Sequence, residues 1–257
     1  MYLKTNALVL RETAYQDADK LLSLLTSEHG CLTARARGVR SRSSRLKAAC
    51  QLLTDGEFTL LERQGRYTIT EAVMLNPFQK LRDDLEKLSL GSYLAQLGET
   101  LSDADYASPA LLRLLLCALD ALARQDRPQA IVKAAAELRL LCLSGYAPAL
   151  EGCAVCGAPN PDRFHVGAGA LHCTGCKDGM EPGLSLPLTP GALTAMRYIC
   201  AAPLERLFSF HLGDDSAACL AQTVETYLLT QLERGFSALD FYKSLLIQQP
   251  ESTYESE

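Results

Sequence analysis

Two pairs of closely spaced cysteines restrict what this chain can fold into more than any other feature of its sequence. The pairs are Cys153-Ala154-Val155-Cys156 and Cys173-Thr174-Gly175-Cys176, and 16 residues separate them. Each C-x-x-C spacing places two thiolates on one tight turn, and two such turns can enclose one metal ion in a tetrahedral sulfur shell. We therefore predict one structural zinc ion bound by Cys153, Cys156, Cys173 and Cys176.

The alternatives to this zinc site are a pair of redox-active dithiols, two disulfides, or a site in which His172 replaces its neighbour Cys173. A four-sulfur shell leaves no open position, which argues against a catalytic metal. None of the four histidines begins the H-x-E motif of zinc deaminases. The remaining cysteines are scattered, and we predict that they are small core residues: Cys31, Cys50, Cys117, Cys142, Cys200 and Cys219.

The pattern of residues 1–75 is typical of short β-strands. The residues on either side of Gln64-Gly65 predict a hairpin, and residues 44–49 have room for one or two helical turns. Five short strands with a helix after the third is the element order of an OB-fold barrel. An SH3-like barrel and a plain five-stranded sheet are the alternatives.

From residue 76 the apolar residues recur with a helical period. Helix starts are predicted at Asn76-Pro77, Ser108-Pro109, Pro128, Thr189-Pro190 and Asp214. The leucine stripes that follow are typical of a bundle core. We predict an α+β multidomain chain: an OB-fold β-barrel over 1–77, an α-helical domain over 78–148 and 188–247, an inserted zinc knuckle over 149–187, and a flexible tail over 248–257.

Charge is distributed unevenly along the chain. The 257 residues carry a net charge of −5, but residues 1–80 hold 12 Lys+Arg against 8 Asp+Glu, and the remainder holds 13 against 22. An N-terminal part of +4 joined to a C-terminal part of −9 is a recognised sign of polyanion binding at one end. No apolar run is long enough to span a membrane and the start lacks a signal-peptide pattern, so we expect a cytoplasmic protein with no membrane partner.

The positive charge of the N-terminal part is concentrated in one segment, and no acidic residue occurs between Cys31 and Thr54. Arginine offers planar donors that fit phosphate, so the segment predicts a phosphate-tracking surface. The alternative is a solvated basic loop without a ligand. The candidate DNA-binding residues are Arg35, Arg37, Arg40, Arg42, Arg45 and Lys47.

Four stretches occur in a specific order along the chain: Ala7-Leu8-Val9-Leu10-Arg11, Asp17-Ala18-Asp19-Lys20-Leu21, Ala36-Arg37-Gly38-Val39-Arg40, and Gly145-Tyr146-Ala147-Pro148 ahead of the first cysteine pair. Together they resemble the RecO family of DNA repair proteins. Each motif is modest alone, but their order and spacing are specific.

The resemblance implies a recombination mediator that binds single- and double-stranded DNA and anneals complementary strands. It implies action with RecR, contact with the acidic C-terminal tail of single-stranded DNA-binding protein, and an indirect role in loading RecA. It also implies a bacterial, nucleoid-associated location, DNA contacts on the basic segment, and zinc on the four paired cysteines. Lys133 and Arg139 are candidates for the pocket that holds the partner's tail.

Two other functions compete with a DNA-annealing mediator. One is a zinc-containing protein-interaction adaptor whose DNA binding is incidental, and the other is a zinc-dependent enzyme. The sequence has no Gly-rich phosphate loop, no G-x-S-x-G and no H-E-x-x-H. We therefore expect no enzymatic activity.

Overall fold

The computed structural model describes residues 1–102, 106–124 and 127–247. The tail predicted over 248–257 lies outside the described residues. The described chain begins with five strands. Seven α-helices follow, and a second, smaller sheet lies between the fourth and the fifth of them.

The first five strands close into a barrel. They are β1 (Tyr2–Tyr15), β2 (Asp19–Thr26), β3 (Cys31–Ala36), β4 (Asp55–Arg63) and β5 (Arg66–Asn76), in the order β1-β2-β3-β5-β4 with β4 returning to β1. All neighbours are antiparallel except β3 and β5. The prediction of an OB-like barrel is confirmed.

Both faces of β1 are buried, which explains the uninterrupted apolar run at residues 7–10. Ala7 and Val9 point into the barrel core with Leu22, Phe58 and Leu60. The alternate residues Leu8 and Leu10 point outwards into the core of the helical part. A bulge between Val9 and Arg11 bends this 14-residue strand, so that it can pair with both β2 and β4.

The long connection between β3 and β4 contains turns but no regular helix, so the prediction of helical turns at residues 44–49 holds only as a single turn, closed by a hydrogen bond from Cys50 N to Leu46 O. Val39 and Cys50 are buried in the barrel core, and Leu46 packs against it. We call residues 37–47 the basic loop. Its apolar side chains attach it to the barrel, while its charged residues remain outside.

The helical part consists of α1 (Gln79–Arg82), α2 (Leu85–Leu101), α3 (Pro109–Arg124), α4 (Gln129–Leu143), α5 (Pro190–Ala201), α6 (Asp214–Gln231) and α7 (Ser237–Ile247). Helix α4 contacts α2, α3, α5 and α6 and is buried on nearly every side. The helix starts predicted at Pro109, Thr189-Pro190 and Asp214 are confirmed, and Thr189 caps α5 by accepting from Ala192 N.

The predicted helix start at Asn76-Pro77 is wrong. Strand β5 continues to Asn76, whose side chain accepts a hydrogen bond from Phe78 N, and the first long helix begins only at Leu85. Its cap is Asp84, which accepts from the N–H groups of Glu86 and Lys87. A strand paired to β4 outcompetes the local Asn-Pro signal.

The segment between α4 and α5 forms a small four-stranded sheet. Its strands are β6 (Ala149–Cys153), β7 (Arg163–His165), β8 (Ala170–His172) and β9 (Ser185–Pro187), in the order β6-β8-β7-β9. Phe164 is fully buried and packs edge-to-face on Tyr227 of α6, with ring centroids 5.2 Å apart. Arg197 of α5 donates hydrogen bonds to the carbonyls of Leu150 and Pro159. The sheet is therefore fixed to the helices by both apolar and polar contacts.

The barrel packs directly on the helical part. Glu99 of α2 accepts hydrogen bonds from Arg11 of β1 and Ser23 of β2, and Arg82 donates to the carbonyl of Leu52. Among the described residues, none of the helices has the length and hydropathy needed for a membrane span.

Candidate nucleic-acid interface and metal centre

The basic loop presents most of its charge to solvent. Gly38 starts the loop with a φ of +61°, a conformation that favours glycine, and the N–H of Arg40 donates to Ala18 O. The described residues form no hydrogen bond or ion pair with the charged groups of five side chains, all of which are exposed: Arg37, Arg40, Arg42, Arg45 and Lys47. Cations without a carboxylate partner are available to bind an external anion.

Arg35 differs from the other five predicted DNA-binding residues. Its guanidinium lies 2.6 Å from the carboxylate of Asp19, donates to Gln16 Oε1, and stacks 5.2 Å from the centroid of the Tyr15 ring. Asp19 also accepts from Gly38 N at 2.7 Å. Arg35 is therefore partly neutralised, and its contacts position the start of the basic loop.

A groove beside the loop adds basic residues that the sequence analysis missed. The turn of the β4–β5 hairpin, at Gln64 and Gly65, carries exposed Arg63 and Arg66 on either side. The groove measures about 750 Å³. Its lining includes Arg35, Arg37, Arg63, Arg66, Tyr15 and Tyr67.

The parallel pairing of β3 with β5 explains why this group was missed. It places Arg35 opposite Thr68 and Ala34 opposite Tyr67. The hairpin is therefore next to β3 in space although it is distant in sequence. In the sequence, the signal for this part of the groove is a pair of arginines on either side of the predicted tight turn. The structure also separates the N-terminal aromatics, because Phe58 is buried in the barrel core whereas Tyr15 and Tyr67 line the groove.

The four paired cysteines come together at one end of the small sheet. Cys153 ends β6, Cys156 follows on a tight turn that closes at Gly157, and Cys173 and Cys176 flank the start of a 3₁₀ turn after β8. Their ligand atoms all lie within 4.8 Å of one another, and Cys156 and Cys173 have their sulfurs 3.9 Å apart. A zinc–sulfur bond of about 2.3 Å gives a sulfur–sulfur separation of about 3.8 Å in a tetrahedron, so the residues fit such an ion.

Backbone groups around this cluster favour a thiolate. The N–H of Cys156, with those of Val155 and Cys173, lowers the pKa of Cys153 to about 6. Burial and the neighbouring sulfurs raise the pKa of Cys173 to about 12, a shift that a bound cation reverses. Among the described residues this is the one group of three or more side chains that could hold a metal ion, and all ten cysteines are free thiols without a disulfide.

Lys133 and Arg139 lie on α4, where the structure surrounds them with partners. Lys133 is 4% exposed, and its ammonium is 2.7 Å from Glu137 and 2.8 Å from Glu225. Arg139 is half-buried and donates to the carbonyls of Cys200 and Ala202 at the end of α5.

Comparison with known families assigns the two halves of the chain. The model of the recombination protein O N-terminal domain matches residues 1–78, and the model of its C-terminal domain matches residues 82–240. The chain belongs to the RecO family.

Curated RecO proteins match nearly the whole chain. DNA repair protein RecO of Acetivibrio thermocellus is 30% identical over 95% of this chain and 97% of its own length. The RecO protein of Symbiobacterium thermophilum is 30% identical over 93% of this chain and 96% of its own length. That of Rubrobacter xylanophilus is 33% identical over 88% of this chain and 90% of its own length. The predicted family is confirmed, and this is a DNA repair protein of the RecO family.

The two matches divide the candidate sites between them. The RecO N-terminal match contains the barrel, the basic loop and the groove beside it. The RecO C-terminal match contains the helices from α2 to α6, the small sheet and the four-cysteine cluster. The basic face and the metal centre therefore lie in different halves of a RecO chain.

Proposed function

We propose that this protein is a non-enzymatic recombination mediator that binds single- and double-stranded DNA on its barrel and anneals complementary strands. The observation that carries the proposal is the group of five exposed basic side chains that have no acidic partner among the described residues. They lie next to the groove that contains Arg63 and Arg66. In the rest of the proposal, the basic face means the basic loop together with this groove.

The chemistry of the basic face fits a nucleic-acid backbone. Arginines bind phosphate through paired planar donors, and each neutralised phosphate releases counterions. Tyr15 and Tyr67 line the same groove, and aromatic rings are the surfaces on which the bases of a single strand stack. A single strand is therefore the form of DNA that uses the whole groove, whereas a duplex offers its phosphates to the loop.

Annealing follows from the same charge. Two complementary strands repel each other through their phosphates, and a row of cations that neutralises one strand lowers this barrier. Since the part of the chain after residue 80 carries a charge of −9, it repels DNA that approaches from other sides. The basic face therefore acts as the one favourable docking surface for both strands.

The salt dependence of binding tests this proposal. A fluorescently labelled single strand is titrated with the metal-loaded full chain at several salt concentrations. With the five free loop cations and the two hairpin arginines on phosphates, log K falls with log salt at a slope of about −5, from ~0.7 per phosphate. A slope near zero would contradict phosphate binding. If DNA binds only with micromolar affinity at physiological salt while a protein partner binds tightly, the result favours the alternative function, a zinc-containing adaptor.

We further propose that the protein acts with RecR and helps load RecA onto DNA covered by single-stranded DNA-binding protein. The acidic tail of that protein would bind on the helical part. Lys133 is buried and its ammonium is held by Glu137 and Glu225, so it is not free to pair with such a tail. Arg139, which is half-buried on α4 and donates to carbonyls at the end of α5, is the more accessible of the two predicted residues.

A pocket of about 340 Å³ between α3 and residues 204–209 is a second candidate, lined by the exposed Arg124, which pairs with Asp120, and by the half-buried Arg127. It combines Arg124 and Arg127 with Leu204 and Phe208. A labelled acidic-tail peptide distinguishes the two locations. Loss of its binding in Arg139→Ala supports the α4 site, loss in Arg127→Glu supports the pocket, and unchanged binding in both variants contradicts a tail site in either place.

The metal proposed for the four-cysteine cluster is zinc in a structural role. Four thiolates close its coordination shell, so the ion would supply cross-linking and not a reactive water. X-ray absorption of the purified protein is expected to show four sulfur ligands. An oxygen ligand in that shell would instead indicate an open position and support the zinc-dependent enzyme.

A further inference from the structure

A second pair of cysteines lies outside the metal centre. Cys142 is in the last turn of α4 and Cys200 is in the last turn of α5, and their sulfur atoms are 3.5 Å apart. The two residues are 58 positions apart in sequence. Both are partly exposed, so small molecules can reach them. The sequence predicts that they are isolated core residues, because only the packing of α4 on α5 brings them together.

The environment of this pair differs from that of a core cysteine. Cys50 is fully buried, and burial raises the pKa of its thiol to about 12. For Cys142, the hydrogen bond shared with Cys200 and the nearby Arg139 guanidinium lower the thiol pKa. The same hydrogen bond raises the pKa of Cys200. One thiol of the pair is thus suited to act as a nucleophile and the other as the proton-bearing partner.

Arg139 counteracts the effect of the helix ends. A thiolate at a helix C-terminus faces the negative end of the helix dipole, which disfavours it. The Arg139 guanidinium donates to the carbonyls of Cys200 and Ala202, which belong to the end of α5. These carbonyls are therefore paired with a cation directly beside the two sulfurs.

The pair does not have the composition of a metal site. A structural zinc ion takes four ligands, which are cysteine thiolates or a combination of cysteines and histidines. Among the described residues, the four-cysteine cluster is the one group with three or more ligand side chains, and it does not include Cys142 or Cys200. A pair of adjacent thiols without further ligands is the arrangement of a reversible dithiol.

We propose that Cys142 and Cys200 are a peroxide-sensitive thiol pair that forms a reversible disulfide between α4 and α5. The Cys142 thiolate attacks the O–O bond of hydrogen peroxide, which gives a sulfenic acid and releases hydroxide. The Cys200 sulfur then attacks the sulfenic sulfur, so an S–S bond forms, the S–O bond breaks, and water leaves with the Cys200 proton. Overall, two thiols and one peroxide give one disulfide and two water molecules, and a cellular dithiol reductant reverses the reaction.

This disulfide would join the two ends of the segment that carries the metal centre. Residues 143–199 contain the whole small sheet and all four cysteines of the metal centre. A bond between residues 142 and 200 therefore closes a covalent loop at the base of the insert. Oxidants also attack zinc-bound thiolates, and the cross-link would keep the two ends of the insert together when the metal is lost.

The test uses the full-length, metal-loaded protein and hydrogen peroxide at doses that leave its zinc content unchanged. After free thiols are alkylated, the protein is digested and peptides are identified by mass spectrometry. We expect a linked peptide pair containing Cys142 and Cys200, lighter by two hydrogen atoms and lost after treatment with dithiothreitol. Cys117, a partly exposed single thiol whose pKa is raised by burial, should stay reduced at the same dose.

Two variants complete the design. Cys142→Ser should abolish the linked pair, while Cys117→Ser, the matched control, should form it at the wild-type rate. The proposal is overturned if wild-type protein with its zinc in place yields no Cys142–Cys200 peptide while Cys117 is already oxidised. It is also overturned if Cys142 and Cys200 are each oxidised singly to sulfinic acid. These outcomes are independent of DNA binding, so they can be told apart from a failure of the proposed function.

Discussion

The carboxylate of Asp19 accepts a hydrogen bond of 2.7 Å from the backbone N–H of Gly38, which ties the start of the basic loop to β2. Its other oxygen receives the guanidinium of Arg35 at 2.6 Å. Asp19 is 8% exposed, so these contacts are shielded from bulk water. One acidic residue thus holds the loop in place by pairing with Arg35 of β3, and the cations of the loop itself stay free for an external anion.

Removing this carboxylate should loosen the loop without unfolding the barrel. In Asp19→Ala we expect faster hydrogen exchange at the amides of Gly38 and Arg40, because the first loses its acceptor and the second lies in the same turn. Native-state exchange measured by NMR checks this. Asp17→Ala is the control, since Asp17 is exposed and, within the described part of the chain, makes no hydrogen bond or ion pair with the loop. Equal protection of Gly38 in both variants would show that Asp19 does not hold the loop.

The same contact has a defined pH dependence. The Gly38 N–H, followed by the Arg35 guanidinium, keeps the pKa of Asp19 below its ordinary value of 3.8. A lowered pKa in the folded state means that the contact contributes its full stability above pH 3.8. That contribution is lost as the pH falls through the lower folded value. Protection of the Gly38 amide should therefore persist at pH 5 and disappear only in stronger acid.

The barrel could be predicted from local patterns, but its closure could not. The Gln64-Gly65 turn is readable from sequence because glycine is favoured at the second position of a two-residue hairpin turn, and both residues do adopt positive φ. The parallel pairing of β3 with β5 is a long-range contact with no local signature. Long-range pairing also overrides the local helix signal at Asn76-Pro77, because β5 pairs with β4 as far as Asn76.

The buried ion cluster on α4 should be a major determinant of stability. Lys133→Met removes the cation between Glu137, which is fully buried, and Glu225. Two carboxylates are then left close together without their cation. Breaking a buried pair in this way typically costs about 3–5 kcal/mol. Urea unfolding of the variant checks this loss.

Lys243→Met is the matched control for this cluster. Lys243 also pairs with Glu225, at 2.6 Å, but its side chain is 51% exposed, so its loss should cost no more than ~1 kcal/mol. An equal loss of stability in the two variants would contradict a structural role specific to Lys133. The burial of Lys133 was not predictable from sequence, because a lysine on an amphipathic helix is normally exposed and Glu225 is 92 residues away.

Removing one ligand of the metal centre should lower zinc content and stability together. Cys153→Ser leaves three thiolates. It removes the sulfur whose pKa is lowered by hydrogen bonds from neighbouring backbone N–H groups. Elemental analysis and thermal unfolding of the same samples provide the measurement, with Cys219→Ser as a control at a single thiol. One zinc ion still bound per chain in a Cys153/Cys173 double serine variant would refute the four-cysteine site.

The metal cluster and the basic loop differ in how far the sequence determines them. Fixed spacing brings Cys153 next to Cys156 on one turn, so each half of the metal site is local in sequence. The geometry confirms the prediction that the two halves form one cluster. The basic loop is local too, but the availability of each cation depends on which carboxylate folds against it. Asp19 takes Arg35 and leaves Arg37 exposed, and the charge pattern alone does not distinguish those two arginines.

The central claim, that the basic loop carries DNA annealing, is tested most directly by a strand-annealing assay on charge-reversed protein. The loop variant is Arg37→Glu/Arg40→Glu/Arg42→Glu. The control, Lys80→Glu/Arg206→Glu/Arg234→Glu, changes the net charge equally at exposed residues that lie away from the loop. With both variants folded by circular dichroism, we predict that the loop variant loses annealing of complementary strands and that the control retains it. Annealing at the wild-type rate by a folded loop variant would contradict the account.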